Sequence, residues 1–334
     1  MRKVYIGGHF IRKGFLERFF QSCYVLGWYK GTIKFLCGHL GIYLGSYKLC
    51  TIKHRIIEGY LRENYTLTIK EIEDVVKEVT ASRKLEKKER IWVFWYQGEK
   101  SMPEVVRMCY HYLKANNTSG SREVLLLSKY NIDKYIGLPE YIICALAEKR
   151  LSLAHYSDII RMALLYYYGG MWLDATILCP RPIDVNLFNV KYWTYKSKEY
   201  DNYNWFHVVQ GRWSLSIRNA DQPYEELFKI VLAKMLMYWK REKYLLDYMW
   251  MDYFFDIVYY DYPHIKNEVD AIECNNPYTN KLVDIIEKEL DEDQYHSILE
   301  STNFFKLTHK HEFSKEIHGK ETLYGYLLKN MPSL

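Results

Sequence analysis

The sequence lacks a long apolar run. In its N-terminal region the longest stretch free of Asp, Glu, Lys and Arg, Phe35 to Tyr47, is 13 residues and holds three glycines and a histidine. A bilayer-spanning helix needs ~20 apolar residues, so none is expected there. No apolar segment with a small-residue cleavage site follows the basic first residues, so no secretory leader is expected either. There is no C-x-x-C pair, and the seven cysteines are an odd number. That argues against a disulfide framework or a zinc knuckle and for a reducing compartment. G-x-G-x-x-G after a strand, the P-loop, H-E-x-x-H and G-x-S-x-G are all missing, which removes support for the nucleotide, zinc-peptidase and serine-hydrolase chemistries they serve. No internal repeat or low-complexity tract stands out.

Acidic residues are scarce at the start. Residues 1–60 carry ten Lys/Arg against only Glu17 and Glu58, a net +8, whereas the whole chain is +5. The basic residues alternate with Phe10, Phe15, Phe19, Phe20, Trp28, Tyr29 and Phe35. Such a segment suits an anionic membrane surface, because cations attract head groups and aromatic rings sit at the interface. Nucleic acid is a weaker alternative, and a helical appendage packed on the main domain is the plain one. Nucleic acid is not expected as a partner. The glycines at 27, 31, 38, 41 and 45 read as breaks between short helices.

What is present can bury a core: 334 residues, 49% hydrophobic and 26% charged, enough for one large domain or two modest ones. Three parts are expected: a basic aromatic helical appendage over 1–68, a charged helix or connector over 69–90, and the main domain over 91–334. Ile91 to Tyr96 reads as a buried strand ended by Gln97-Gly98, Glu104 to Asn116 as a helix after Pro103, and Val124 to Leu127 as a second strand. Pro139 opens another helix, to about Arg150. Alternating strand and helix points to an α/β fold with a largely parallel sheet. Further on, Pro223–Lys240, Leu245–Tyr260 and Asn280–Leu290 read as helices.

The chemistry-bearing segment runs from His155 to Thr176. Ser157 reads as an N-cap, with Asp158 at the positive end of the helix dipole. Residues 159–168 are apolar or tyrosine except Arg161, which marks a buried helix. Asp158 and Arg161, three apart, share a face and must be paired. Gly169-Gly170 ends the helix, and Met171-Trp172-Leu173 is a short buried strand. Four residues of strand from Gly170 to Asp174 travel ~13 Å, which a helix covers in about nine residues. An antiparallel helix and strand therefore bring Asp174 level with Asp158 and Arg161 at the carboxyl edge of the strand, where ligands bind in open α/β sheets. Arg161 could fork onto phosphate or carboxylate, and the carboxylates could take sugar hydroxyls or a hard cation. A buried Asp158–Arg161 pair, with Asp174 merely capping a turn, fits the same spacing. His155 reads more readily as a buried structural histidine than as a ligand. Asp252 and Asp256, four apart, read more readily as a solvated helix face than as an acceptor site. Asp201 to His207 reads equally as an acceptor-sugar platform and as an ordinary loop.

The pattern Ser157-Asp158-x-x-Arg161, then Leu165-x-x-Tyr168-Gly169-Gly170-x-Trp172-x-Asp174, resembles the donor-binding core of GT-A glycosyltransferases, most of all the bacterial capsular polysaccharide synthesis proteins related to glycosyltransferase family 32. Trp92–Gly98, Phe305–Lys310 and Thr322–Tyr324 are similar to flanking parts of that family, so the resemblance runs from about 91 to 326. It implies a GT-A-like Rossmannoid sheet flanked by helices. It implies a hexosyltransferase, retaining the anomeric configuration, that moves a sugar from a nucleotide-sugar donor to a glycan acceptor on polyprenyl diphosphate, in the cytoplasm or on the inner face of the plasma membrane. Trp95, Gln97, Asp158, Arg161, Gly169, Gly170, Asp174 and Thr176 would bind the donor, with Asp174 and Arg161 catalytic. Asp174 matches the first acid of the family's Asp-x-Asp motif, but Thr176 stands at the second. Mn²⁺ or Mg²⁺ would then rest on Asp174 and a distant residue such as His309. Lys306 or Arg161 could instead neutralise the leaving diphosphate. A non-catalytic nucleotide-sugar or glycan binder is the alternative reading.

Overall fold

The computed structural model describes residues 10–81, 89–118, 120, 122–197 and 206–334. The polar–aromatic stretch at 201–205 and most of the charged run at 82–88 lie outside the described residues.

A five-stranded mixed sheet organises the chain. Its strands are β1 (Glu89–Phe94), β2 (Arg122–Leu127), β3 (Gly170–Leu173), β4 (Tyr192–Thr194) and β5 (Ile217–Ala220), in the order β2-β1-β3-β5-β4. β1 runs parallel to both β2 and β3, and β5 runs antiparallel to β3 and β4. Helices cover both faces, as the run of short apolar strands requires. The period-two alternation sorts side chains between two layers. Trp92, Phe94 and Trp172 point into a core shared with α6 (Leu153–Tyr168), α7 (Glu226–Arg241) and α8 (Trp250–Asp261). Ile91, Val93, Met171 and Leu173 point into the other, with α4 (Glu104–Asn117) and the C-terminal α11 (Leu323–Lys329).

The N-terminal segment departs from the expected short helices. α1 (Phe10–Leu44) breaks only at Gly27, whose φ of 76° and ψ of 160° are non-helical. Gly31 is helical and serves packing: a Cβ there would lie 2.6 Å from Cys23 Cα. The chain doubles back on itself, and glycine is the residue that lets backbone touch backbone. α2 (Tyr47–Tyr65) and α3 (Ile69–Val76) follow. Ile57, Leu61, Tyr65, Val75 and Val76 join the same core as α6 to α8. Lys34 and Lys53 are buried and reach Asp247 at 3.4 and 3.2 Å.

Two other elements differ from expectation. The charged helix is only 69–76, opened by a Thr68–Glu71 capping box and stopped where Val79 turns inward. Asn280–Leu290 contains only a short 3₁₀ turn at Leu282–Asp284, because Leu282 and Ile286 are drawn into the core while Leu290 N–H bonds to Glu321. The helix stands later, at Glu292–Ser301, capped by Asp291.

Candidate active site

The helix-to-strand arithmetic holds. α6 begins earlier than the sequence suggested: its N-cap is Ser152, whose hydroxyl accepts from His155 N–H, and Ser157 lies inside the helix. The signal was present in Ser152 itself, one turn upstream of the more familiar Ser-Asp pair. The buried face still carries Arg161 to the level of the end of β3. Arg161 Nη2 donates to Asp174 Oδ1 at 2.9 Å, and its Nη1 stands 3.3 Å from Asp158 Oδ1. The guanidinium lies 4.9 Å from the Trp172 ring.

Asp174 is the hub. Trp172 Nε1 donates to its Oδ1 at 2.9 Å, and Lys306 Nζ donates to its Oδ2 at 2.7 Å. Trp172 stands two residues before Asp174, on the same strand face, a period-two signal that the sequence reading did not use. Lys306 arrives from the two-residue strand Phe305–Lys306, which pairs antiparallel with Ile177–Leu178 just after a turn closed by Ile177 N–H on Asp174 O. Burial alone would raise the Asp174 pKa. Lys306 and Arg161 outweigh it, with hydrogen bonds from Lys306 and Trp172, and hold this carboxyl far below the usual range. Asp158 moves the other way, because burial exceeds the pull of Arg161.

The rim closes through the C-terminal segment. The register pairs Trp92 with Trp172, so β1 and β3 leave the sheet at the same edge. There Trp95, half-buried, meets the His309 ring at 5.4 Å edge-on. His309, three residues after Lys306, has its pKa lowered by burial and by Lys310 and Lys306. Gln97 is exposed in the turn closed by Gly98 N–H on Trp95 O. Trp95, Lys306 and His309 thus connect the two strand ends around Asp174.

Other expected donor-binding residues lie elsewhere or face inward. Gly169 and Gly170 sit at the opposite end of β3 and do not join the cluster. The Gly169 carbonyl accepts from Trp92 Nε1, and a Cβ on Gly170 would lie 2.7 Å from Arg90 O at a φ of 88°. They close the helix onto the sheet. Thr176 is buried, and its carbonyl accepts from Leu307 N–H. His155 is structural: one ring nitrogen pairs with Ser152 Oγ and the other donates to Tyr248 O.

The solvated-face reading of Asp252 and Asp256 is overturned. Asp256 is buried and ion-paired to Arg212 at 2.5 Å. Asp252 accepts from Trp213 Nε1 at 3.2 Å. The helix period could not distinguish these positions from a wet face, because their partners come from the distant segment around 212–213. Burial raises the Asp252 carboxyl to about 7, opposed by Trp213 and the buried Arg218. A carboxyl raised on folding stabilises at low pH and loses that contribution as pH rises from its unfolded value toward about 7. Asp252→Asn is therefore expected to be more stable than wild type in urea unfolding at pH 8 and little different at pH 5. A larger gain at pH 5 would contradict the assignment.

A family model described as capsular polysaccharide synthesis protein matches residues 45–327. The chain belongs to that family. The match takes in α2 and α3 as well as the sheet, beginning well before the first strand. The O-glycosyltransferase PaGT of Phomopsis amygdali is 28% identical over 119 residues, which are 33% of this chain and 29% of that protein. The chain therefore spans under a third of that relative's length. A solved PaToxG glycosyltransferase is similar over 65% of this chain and 83% of its own, at 12% identity and a TM-score of 0.39.

The metal expected on Asp174 and His309 finds no ligand set here. Among the described residues no group of three or more His, Cys, Asp or Glu is placed to hold an ion. Both Asp174 oxygens already accept from cations, and Thr176 brings no second carboxylate. Arg161 and Lys306 already balance the charges of Asp158 and Asp174, so the cluster offers a divalent ion no net negative charge. Hard divalent ions also favour several oxygen ligands. The residues present do not fit a metal centre.

Proposed function

We propose that this family member is a glycosyltransferase that moves a sugar from a nucleotide-sugar donor to a glycan acceptor on polyprenyl diphosphate. The observation that carries the reading is the joining of Asp158, Arg161, Asp174 and Lys306 at the carboxyl edge of β3. Family membership and the PaGT likeness support transfer of a sugar. The bond from the anomeric carbon to the diphosphate breaks, and its electron pair leaves on the phosphate oxygen. The acceptor hydroxyl oxygen bonds to that carbon, and its proton passes to the departing diphosphate, in keeping with retention. The residues' share of the work is to fix the donor and balance charge where it develops. A panel of nucleotide sugars, with released nucleoside diphosphate as readout, tests it. Turnover of one donor supports the reading. Tight binding with no turnover of any donor favours the non-catalytic binder, to which Thr176 in place of an acid also points.

We further propose that the N-terminal helices rest on an anionic bilayer at the inner face of the plasma membrane. No helix among the described residues is long and apolar enough to cross a membrane. α1 nevertheless leaves Leu16, Phe20, Tyr24, Trp28, Tyr29 and Tyr43 exposed, with Tyr29 at 80% and Tyr43 at 75%. Lys30, Lys48 and Arg55 are exposed on the same segment, and a cavity of about 300 Å³ opens beside Lys30 and Arg55. Lys34 and Lys53, buried on Asp247, are not part of this surface. Reversing Lys30, Lys48 and Arg55 to Glu and changing Tyr29 and Tyr43 to Ser is expected to weaken sedimentation with phosphatidylserine vesicles at least about tenfold. Equal sedimentation would remove the membrane role.

A further inference from the structure

We infer that Lys306 does the work of a divalent cation: its ammonium bridges Asp174 to the diphosphate of the donor, and transfer proceeds without metal. The inference rests on the sugar-transfer reading above and names the group that meets the leaving phosphate.

Two cations hold Asp174, and exposure separates their tasks. The Arg161 side chain is 5% accessible, whereas that of Lys306 is 33% accessible. Arg161 Nη2 is spent on Asp174, and its Nη1 and Nε are sealed from solvent in the interior. It cannot meet a ligand without leaving its place between Asp158 and the Trp172 ring. Arg161 is thus a positioning residue. Lys306 is different. An ammonium carries three N–H donors, and the hydrogen bond to Asp174 Oδ2 occupies one. The exposed side of the head remains for phosphate oxygens.

The placement is rigid. The strand pairing sets Lys306 opposite Ile177, its N–H donates to Thr279 O at 2.8 Å, and Leu307 N–H donates to Thr176 O at 2.9 Å. The backbone of Thr176, standing where the second acid of an Asp-x-Asp motif would be, therefore anchors the segment that carries the lysine. Three residues on, His309 lies against Trp95, so the same segment forms the wall across from β1. A carboxylate, a fixed ammonium and an aromatic rim match a nucleoside diphosphate, whose phosphates need cationic hydrogen-bond donors and whose base can lie on an aromatic ring.

The test compares the full-length wild type with Lys306→Gln and Lys306→Arg. UDP, GDP and the corresponding free nucleosides are titrated calorimetrically in chelator. Bound Mn²⁺ is counted by electron paramagnetic resonance without chelator, and donor turnover is followed in both conditions. The expected result is diphosphate binding and turnover in chelator, with affinity lost by about 10- to 100-fold in Lys306→Gln. Lys306→Arg should recover part of it, and nucleoside affinity should not change. A melting temperature near wild type shows that the variants fold. Equal diphosphate binding by Lys306→Gln overturns the inference. So does turnover that requires Mn²⁺ together with a bound Mn²⁺ signal, which leaves the sugar-transfer reading standing. Metal-free, Lys306-dependent binding with no turnover of any donor overturns sugar transfer and leaves the phosphate contact. No binding of either diphosphate in any condition overturns both.

Discussion

Asp174→Asn is expected to lower turnover by at least about 100-fold, the size seen when one preorganised charge-stabilising group is removed. The substitution is nearly isosteric, and the amide oxygen can still accept from Trp172 Nε1 and Arg161 Nη2. What is lost is the charge, and the amide NH₂ then turns a donor toward Lys306, itself only a donor. Lys306 would be released from the position that the 2.7 Å contact sets. Released nucleoside diphosphate, measured with the best donor of the panel, checks this. Asp158→Asn, one step further from Lys306, should cost less. A rate within a few-fold of wild type for Asp174→Asn would remove Asp174 from the chemistry.

Arg161→Leu should cost the most stability of any single change at the site, about 3–5 kcal/mol, as when one member of a buried ion pair is deleted. For a chain of 334 residues that corresponds to a melting temperature lower by roughly 4–7 °C. Two carboxylates lose their shared partner, and although Asp174 keeps Lys306, Asp158 is left in the interior. The effect should depend on pH. Burial already raises the Asp158 carboxyl, and loss of the guanidinium raises it further. A carboxyl raised on folding stabilises below its unfolded value and loses that contribution as pH climbs through the folded one. The deficit should therefore be smaller at pH 5 than at pH 8 in chemical unfolding. Arg161→Lys should fall between, because an ammonium cannot fork onto both acids. A deficit under about 1 kcal/mol, or one that grows toward acid, would show that Arg161 does not hold the pair.

The centre of this site was legible because it depends on local lengths. An apolar helix, a glycine pair and a four-residue strand fix where Asp174 stands relative to Arg161, whatever the rest of the chain does. β1 and β2 were legible for the same reason, as short β-branched and aromatic runs. The sequence was least informative where one residue type has two uses. Glycine breaks α1 at position 27 and packs it at position 31. Gly169 and Gly170 carry the family resemblance, yet their structural task is close packing on the sheet. Asp252 and Asp256 have the spacing of a wet face and are buried because Trp213 and Arg212 come from elsewhere. Lys306, 132 residues from Asp174, could be suspected from a motif, but its contact belongs to tertiary structure.

Asp247, clamped by Lys34 and Lys53, immediately precedes Tyr248, whose carbonyl takes the His155 hydrogen bond beside the start of α6. The anchor of the N-terminal helices and the brace of α6 are thus neighbouring residues, Asp247 and Tyr248. Cutting away the first sixty residues would undo this joint and strip Ile57 from the core, so a shortened chain would report collapse rather than detachment.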